Sequence, residues 1–468
     1  MTRQALPVVR PGLNQRRHGS RFDDPYHRFV SARTLAVVFF LVAAACTTEP
    51  GGGGVNISET TIVTSPPATD TTTTTSPTTT TAPTTTTTAS AFQVSGRVMQ
   101  EDGSPIARAF VTHGDRRQVS GPDGWFSFET PSPGLMTVSK PGWSSVDLEW
   151  DDATTFYEAT IEPVTIRGLR VAADAAADDA KFNRLLTLAD ETAVNALVFD
   201  SKQDDGRVVY NTSVQAAHEI GAVDVFYDAA KRIDQAHQHD LYTVTRIVSF
   251  GDPFRASAFP EERLTGPWLD PSSTSARRYI LDLAAEACEL GFDEIQFDYV
   301  RYPSGRTAEV SGQRDLTQEQ RLEAVSGFLS DAREMLHPMG CAVSAAVFGI
   351  VVSSRDDQGI GQRPEEISAQ VDTFSPMVYP SHYSNGWLGF EDPNEHPYDV
   401  TADAIQDTLP RLHEGTTLRP YLQAFWWTNA QIRSSIQAAE DAGIGWLLWN
   451  ILSNFDREAL PSDEEVSG

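Results

Sequence analysis

The sequence predicts a (β/α)8 TIM barrel preceded by a small all-β sandwich, a disordered Thr-rich linker and a signal segment. Three observations lead there. From about Val164 onward, eight apolar strand-like runs alternate with amphipathic stretches of helical period. Between Phe92 and Glu162, short runs of period two are broken by turn residues. Ahead of them lies a tract of Gly, Thr, Ser and Pro with too little apolar surface to fold. The expected boundaries are 1–46 for a leader, 47–91 for the linker, 92–162 for the sandwich, 163–457 for the barrel and 458–468 for an acidic tail.

The leader rests on LAVVFFLVAAA, Leu35 to Ala45, which is short for a bilayer span and suits a signal-peptide core. Arg28 and Arg33 supply its positive flank, and Ala43, Ala44 and Ala45 lead into Cys46. This arrangement resembles a bacterial lipoprotein processing site. The resemblance implies acylation of Cys46, an N-terminal lipid anchor in the membrane and a location on the extracellular face of the cell envelope, with secretion as the alternative. The linker that follows would act as a stalk.

The sandwich rests on SGRVMQEDGSPIARAFV, GPDGWFSFET and GLMTVSKPGW. Gly96, Gly103, Pro105, Ala109, Asp123-Gly124 and Phe126 resemble the pattern of carboxypeptidase regulatory-like domains. The resemblance implies a transthyretin- or immunoglobulin-like fold serving as a spacer or weak binding module.

The eight barrel strands are expected near 165–172, 195–202, 242–250, 292–301, 342–349, 371–379, 419–425 and 443–450. Helices are expected at Asp178–Asp190, Asp224–Gln238, Ser275–Leu290, Thr317–Leu336, Arg363–Gln370, Ala402–His413 and Asn429–Ala442. In such a barrel the active groups come from strand C-termini and the loops beyond them.

The fourth run, FDEIQFDYVR, carries the chemistry. Strand side chains alternate, so Ile295, Phe297 and Tyr299 are expected to face the helices while Glu294, Gln296 and Asp298 face the interior. Asp298 then sits highest, at the catalytic mouth. A carboxylate is costly to bury without a partner, and Arg301 and Arg246 are the cations at hand. A neighbouring Arg would hold Asp298 ionised, as a nucleophile requires; Arg301 could equally cap the strand structurally.

The chain's net charge is −28, and its first forty residues carry seven Arg and two Asp, so the remainder stands at −33. Such a surface excludes nucleic acid, whose binding needs clustered cations. Cys288 and Cys341 match no metal-ligand spacing and read as buried thiols rather than a disulfide. No metal and no cofactor is expected. Asp204-Asp205 with Gly206 reads as a hairpin turn rather than a calcium site.

GFDEIQFDYVRYPSG, with VFDSKQDDGRVVY, TRIVSFGDP, PMVYPSHY, LQAF and WLLWN, resembles a family of bacterial glycoside hydrolases with α-amylase-like barrels over about residues 164–455. The resemblance implies that Asp298 is the nucleophile. Glycoside hydrolysis needs a second carboxyl group. The fifth run, AVSAAVFGIVV, has none where amylase-like enzymes place a Glu. Asp200, on the parity of Val198, is the first substitute, with an ion pair to Lys202 as the competing reading; Asp356, Asp357, Glu365 and Glu366 are others. A chitinase-like mechanism is disfavoured, because its proton-donating Glu would fall at Val300.

Substrate contacts are expected from Arg246, Gln296, Arg301, Tyr379, His382, Tyr383, Gln423, Trp446 and Asn450, with Trp387 and Trp426-Trp427 in the same upper loops. Aromatic faces suit the C–H faces of sugars. Trp449, of opposite parity to Trp446, is expected to pack outward on helices. Together these features predict a glycoside hydrolase acting on an extracellular or cell-envelope polysaccharide. The alternative is a non-catalytic polysaccharide-binding or envelope-organising barrel, and a metal-dependent hydrolase is a weaker third reading.

Overall fold

The computed structural model describes residues 92–466 apart from 115, 131, 141, 152–153 and 155. The expected leader, Cys46 and the linker lie outside the described residues.

The first seven strands form two sheets. Phe92–Met99 runs between Trp125–Thr130 and Phe156–Thr160 in one, and Phe110–His113, Arg116–Val119, Gly134–Ser139 and Val146–Trp150 form the other. Alternate residues of both, among them Val94, Val98, Val111, Met136 and Val138, meet in one core.

The barrel strands follow in order: Arg167–Val171, Ala196–Lys202, Tyr242–Val248, Glu294–Asp298, Ala342–Phe348, Thr373–Val378, Tyr421–Gln423 and Trp446–Trp449. Each pairs in parallel with the next, and the eighth pairs with the first, so the barrel closes. Gly445 permits the closure, because a Cβ there would lie 2.3 Å from the Ile166 carbonyl oxygen. Five of the seven expected helices are present to within two residues at each end, and a sixth, expected at Ala402–His413, lies five residues earlier at Pro397–Thr408. The seventh differs at its start: Val223–Tyr227 joins the sheet beside a short strand, Val208–Tyr210, and the helix begins only at Ala229. The β-branched and aromatic content of VDVFY favours the strand.

Two further expectations are corrected. Cys288, near the C-terminus of helix Thr274–Glu289, and Cys341, just ahead of the fifth strand, form a disulfide with a Cα–Cα distance of 5.9 Å. Their segments are 53 residues apart in sequence but adjacent in the fold, which is what bridging requires. Tyr299 does not continue the fourth strand; its φ of 51° turns the chain away, and its ring fills the space left by the missing side chain of Gly251.

The sandwich docks on the end of the barrel where the strands begin. Arg117 donates to the Pro338 carbonyl at 2.9 Å and Lys140 to the Gly415 carbonyl at 3.0 Å. Phe110 meets the His337 ring edge-on at 5.9 Å, and His337 bonds Asp372 at 2.7 Å. Residues beyond Arg457 pack back on the barrel: Ala193 donates to the Pro461 carbonyl at 2.9 Å, and Arg433 pairs with Glu465.

Candidate active site

The fourth strand faces two ways, as its pattern requires. Phe297 packs its ring 5.0 Å from Phe328 on the helical side. Inside, Glu294 forms the lowest layer and takes bonds from Arg419 and Ser344. Gln296 lies above it, donating to Ser344 at 3.2 Å and Ser375 at 3.4 Å and accepting from Tyr421. That completely buried layer places Gln296 within the barrel interior, beneath the mouth.

Asp298 ends the strand. Its Oδ1 accepts the Tyr299 amide at 2.7 Å, and its Oδ2 accepts from Arg246 at 2.8 Å. The same guanidinium reaches Asp200 Oδ1 at 3.2 Å, and Asp200 Oδ2 accepts from Arg170 at 2.5 Å. Arg170 in turn holds the carbonyls of Asn450 and Ile451 at 3.1 and 2.8 Å. An ion chain thus crosses the mouth through strands one to four and ends on the loop after strand eight. Burial opposes the charge on Arg246, but Asp298, then Asp200 and Asp204, outweigh it and hold its pKa well above the ordinary value.

Trp449 forms the base of this chain, with the guanidinium carbons of Arg170 and Arg246 at 4.1 and 4.9 Å from its ring centre. It therefore faces the interior with Tyr421 and Leu447, whereas Trp446 faces the helices and donates to Glu440 at 2.7 Å. The expected orientation of strand eight is thus reversed. WLLW has no polar residue to mark its inner side, and a barrel strand is buried on both faces.

Lys202 does not pair with Asp200. The register slips between the Arg246–Asp200 and Ile247–Lys202 pairs, a bulge that swings Lys202 to Asp252 at 3.1 Å and the Val248 carbonyl at 2.7 Å. Arg301 donates to the Tyr302 carbonyl at 3.0 Å and lies over Phe348, Trp268 and Tyr299 at 4.1, 4.6 and 5.2 Å.

Tyr379 and His382 gather with Phe425, at ring distances of 5.3 and 5.4 Å from the tyrosine. Tyr383 turns to Trp387, 5.1 Å away, and burial raises its pKa. Gln423 accepts from the Ser381 hydroxyl at 2.9 Å, so it fastens the loop after strand six. Asn450 donates to the Ala424 carbonyl at 2.6 Å and accepts two amides of its own loop. The carboxylates after strand five are engaged locally: Asp357 with Arg321 at 2.7 Å, Glu365 with Arg411 at 2.7 Å, Glu366 with Arg363, and Asp356 with Ser354 at 2.9 Å. Among the described residues no cluster of three or more His, Cys, Asp or Glu is arranged for a metal ion.

Arg170 was not anticipated. The signal was present in GLRV, a single cation on the inner parity of an apolar strand near its C-terminal end. Asp298 occupies the corresponding place at the end of the fourth strand.

A family model described as "Putative glycosyl hydrolase domain" matches residues 168–455. Among solved structures, the chain is similar to a hypothetical protein from Ruminiclostridium thermocellum, at 33% identity over 38% of this chain and 96% of that one, with a TM-score of 0.33. It is similar to the PgaB (BpsB) glycoside hydrolase domain from Bordetella bronchiseptica, at 14% identity over 62% and 95%, TM-score 0.48. The glycoside hydrolase domain of PelA from Pseudomonas aeruginosa gives 9% identity over 63% and 98%, TM-score 0.39. No curated protein matches the chain.

Proposed function

The chain belongs to the glycosyl hydrolase family whose model spans residues 168–455, and from that premise we propose that it cleaves a polysaccharide of the cell envelope or its surroundings, with Asp298 as nucleophile. The observation that carries this reading is the clamp on Asp298: a carboxyl group at the end of the fourth strand, fixed by Arg246 and the Tyr299 amide. Asp298 attacks the anomeric carbon as the glycosidic bond breaks, and a second carboxyl group gives its proton to the leaving oxygen. Both oxygens of Asp200 already accept guanidinium N–H groups, which suits it to orient Arg246 rather than to donate a proton.

An envelope location is supported by the apolar leader ending at Cys46 and by the Cys288–Cys341 disulfide, since such bonds persist in oxidising compartments. The two-sheet unit at 92–162 fits a carboxypeptidase regulatory-like spacer.

The test compares wild type with Asp298→Asn on an array of α- and β-linked glycans, reading reducing-end release. Release by wild type alone is expected; equal release by both would remove Asp298 from the chemistry. A second reading, a barrel that binds glycan without cleaving it, is favoured by the fifth strand, Ala342–Phe348, which carries no carboxyl group. Binding without release by either protein would establish it.

A further inference from the structure

The barrel rim between strands seven and eight presents three large apolar side chains to solvent: Trp426, Ile451 and Leu452, with exposures of 67%, 50% and 63%. They belong to one built feature. Strands seven and eight are neighbours, and the Ala424 amide still donates to the Trp449 carbonyl at 3.0 Å where they end. Asn450 then ties the two loops together, holding the Ala424 carbonyl on one side and the Leu452 and Asn454 amides on the other. Arg170 grips the Asn450 and Ile451 carbonyls, and the Ser453 hydroxyl accepts the Ala172 amide at 2.7 Å.

Backbone strain is a second, independent observation. Trp426 and Ser453 both have left-handed backbones, with φ of 61° and 55°. That conformation is unfavourable for a side chain as bulky as Trp, and glycine would adopt it without cost. The chain thus accepts strain at a residue whose ring stays exposed, a combination that stability alone does not favour. Phe425, meeting Trp426 edge-on at 5.0 Å, links it to Tyr379 and His382. On the other side, Arg170 links Ile451 to Asp200 and so to Arg246 and Asp298.

We propose that Trp426, Ile451 and Leu452 form a rigid apolar shelf that receives the face of a sugar ring from a polymeric glycan, adjacent to the bond being cleaved. The proposal rests on the glycosyl hydrolase reading and names the binding surface which that reading leaves open. Sugar C–H faces pack on Trp and aliphatic groups, and a shelf fixed in advance spends no ordering entropy on the ligand.

The test separates binding from turnover by using the full chain carrying Asp298→Asn. The probes are hexasaccharides of α-1,4- and β-1,4-linked glucose and of β-1,4- and β-1,6-linked N-acetylglucosamine, titrated by tryptophan fluorescence and calorimetry. Against the tightest of them, Trp426→Gly is expected to bind at least about tenfold more weakly while melting at a higher temperature. Trp426→Phe should recover most of the affinity, and Ile451→Ser with Leu452→Ser should lower it. Unchanged affinity in Trp426→Gly, or no binding of any probe by the parent, would overturn the shelf. Failure of the hydrolase reading shows separately, as binding without reducing-end release by the protein that keeps Asp298.

Discussion

Arg246 meets Asp298 through Nε and Nη2, both 2.8 Å from the same oxygen, Oδ2. The contact is nearly dry, with 3% and 8% of the two side chains exposed, so the geometry of one fixes the other.

Arg246→Lys keeps a cation but loses the planar fork that reaches Asp298 and Asp200 together. A fall in kcat of about 10²-fold is expected, with KM little changed, because the loss falls on the aim of the nucleophile. A variant that alters KM alone would show that Arg246 holds substrate instead.

Lys140 provides a pH-dependent test of the contact between sandwich and barrel. Burial lowers its pKa from 10.5 to about 8, Arg108 adds to the effect and Asp372 opposes it. Below about pH 8 the ammonium is charged in both folded and unfolded chains and the burial cost is present in full. Between about 8 and 10.5 the unfolded chain binds the extra proton, so folding stability should rise with pH, by on the order of 3 kcal/mol. Urea unfolding across that range should show the rise in wild type and lose it in Lys140→Met; identical slopes would mean that the amine is solvated.

Reducing the Cys288–Cys341 bond should lower stability by about 2–4 kcal/mol, given the long loop it closes. Thermal unfolding with and without reductant measures this directly. Cys288→Ala with Cys341→Ala should match the reduced protein and ignore reductant; a wild-type midpoint indifferent to reductant would contradict the bond.

The barrel was legible because its strands are apolar runs between helices of the right length, and all eight lie within the expected spans. The fourth strand was the most legible: Glu294, Gln296 and Asp298 are polar in a segment that cannot face them outward, so parity placed them inside. Strand eight failed for the converse reason, since Trp446 to Trp449 offers no polar residue to break the symmetry. Lys202 was misplaced because a bulge, which leaves no mark in the alternation, lies between it and Asp200. The disulfide and the grip of Arg170 on the Asn450 loop depend on which distant segments meet, and one sequence does not encode that as a local pattern.

The grip of Lys140 and Arg117 on the Gly415 and Pro338 carbonyls fixes the direction in which the molecule works. The sandwich holds loops that precede barrel strands, whereas Asp298 ends the fourth strand, so the two occupy opposite ends of the barrel.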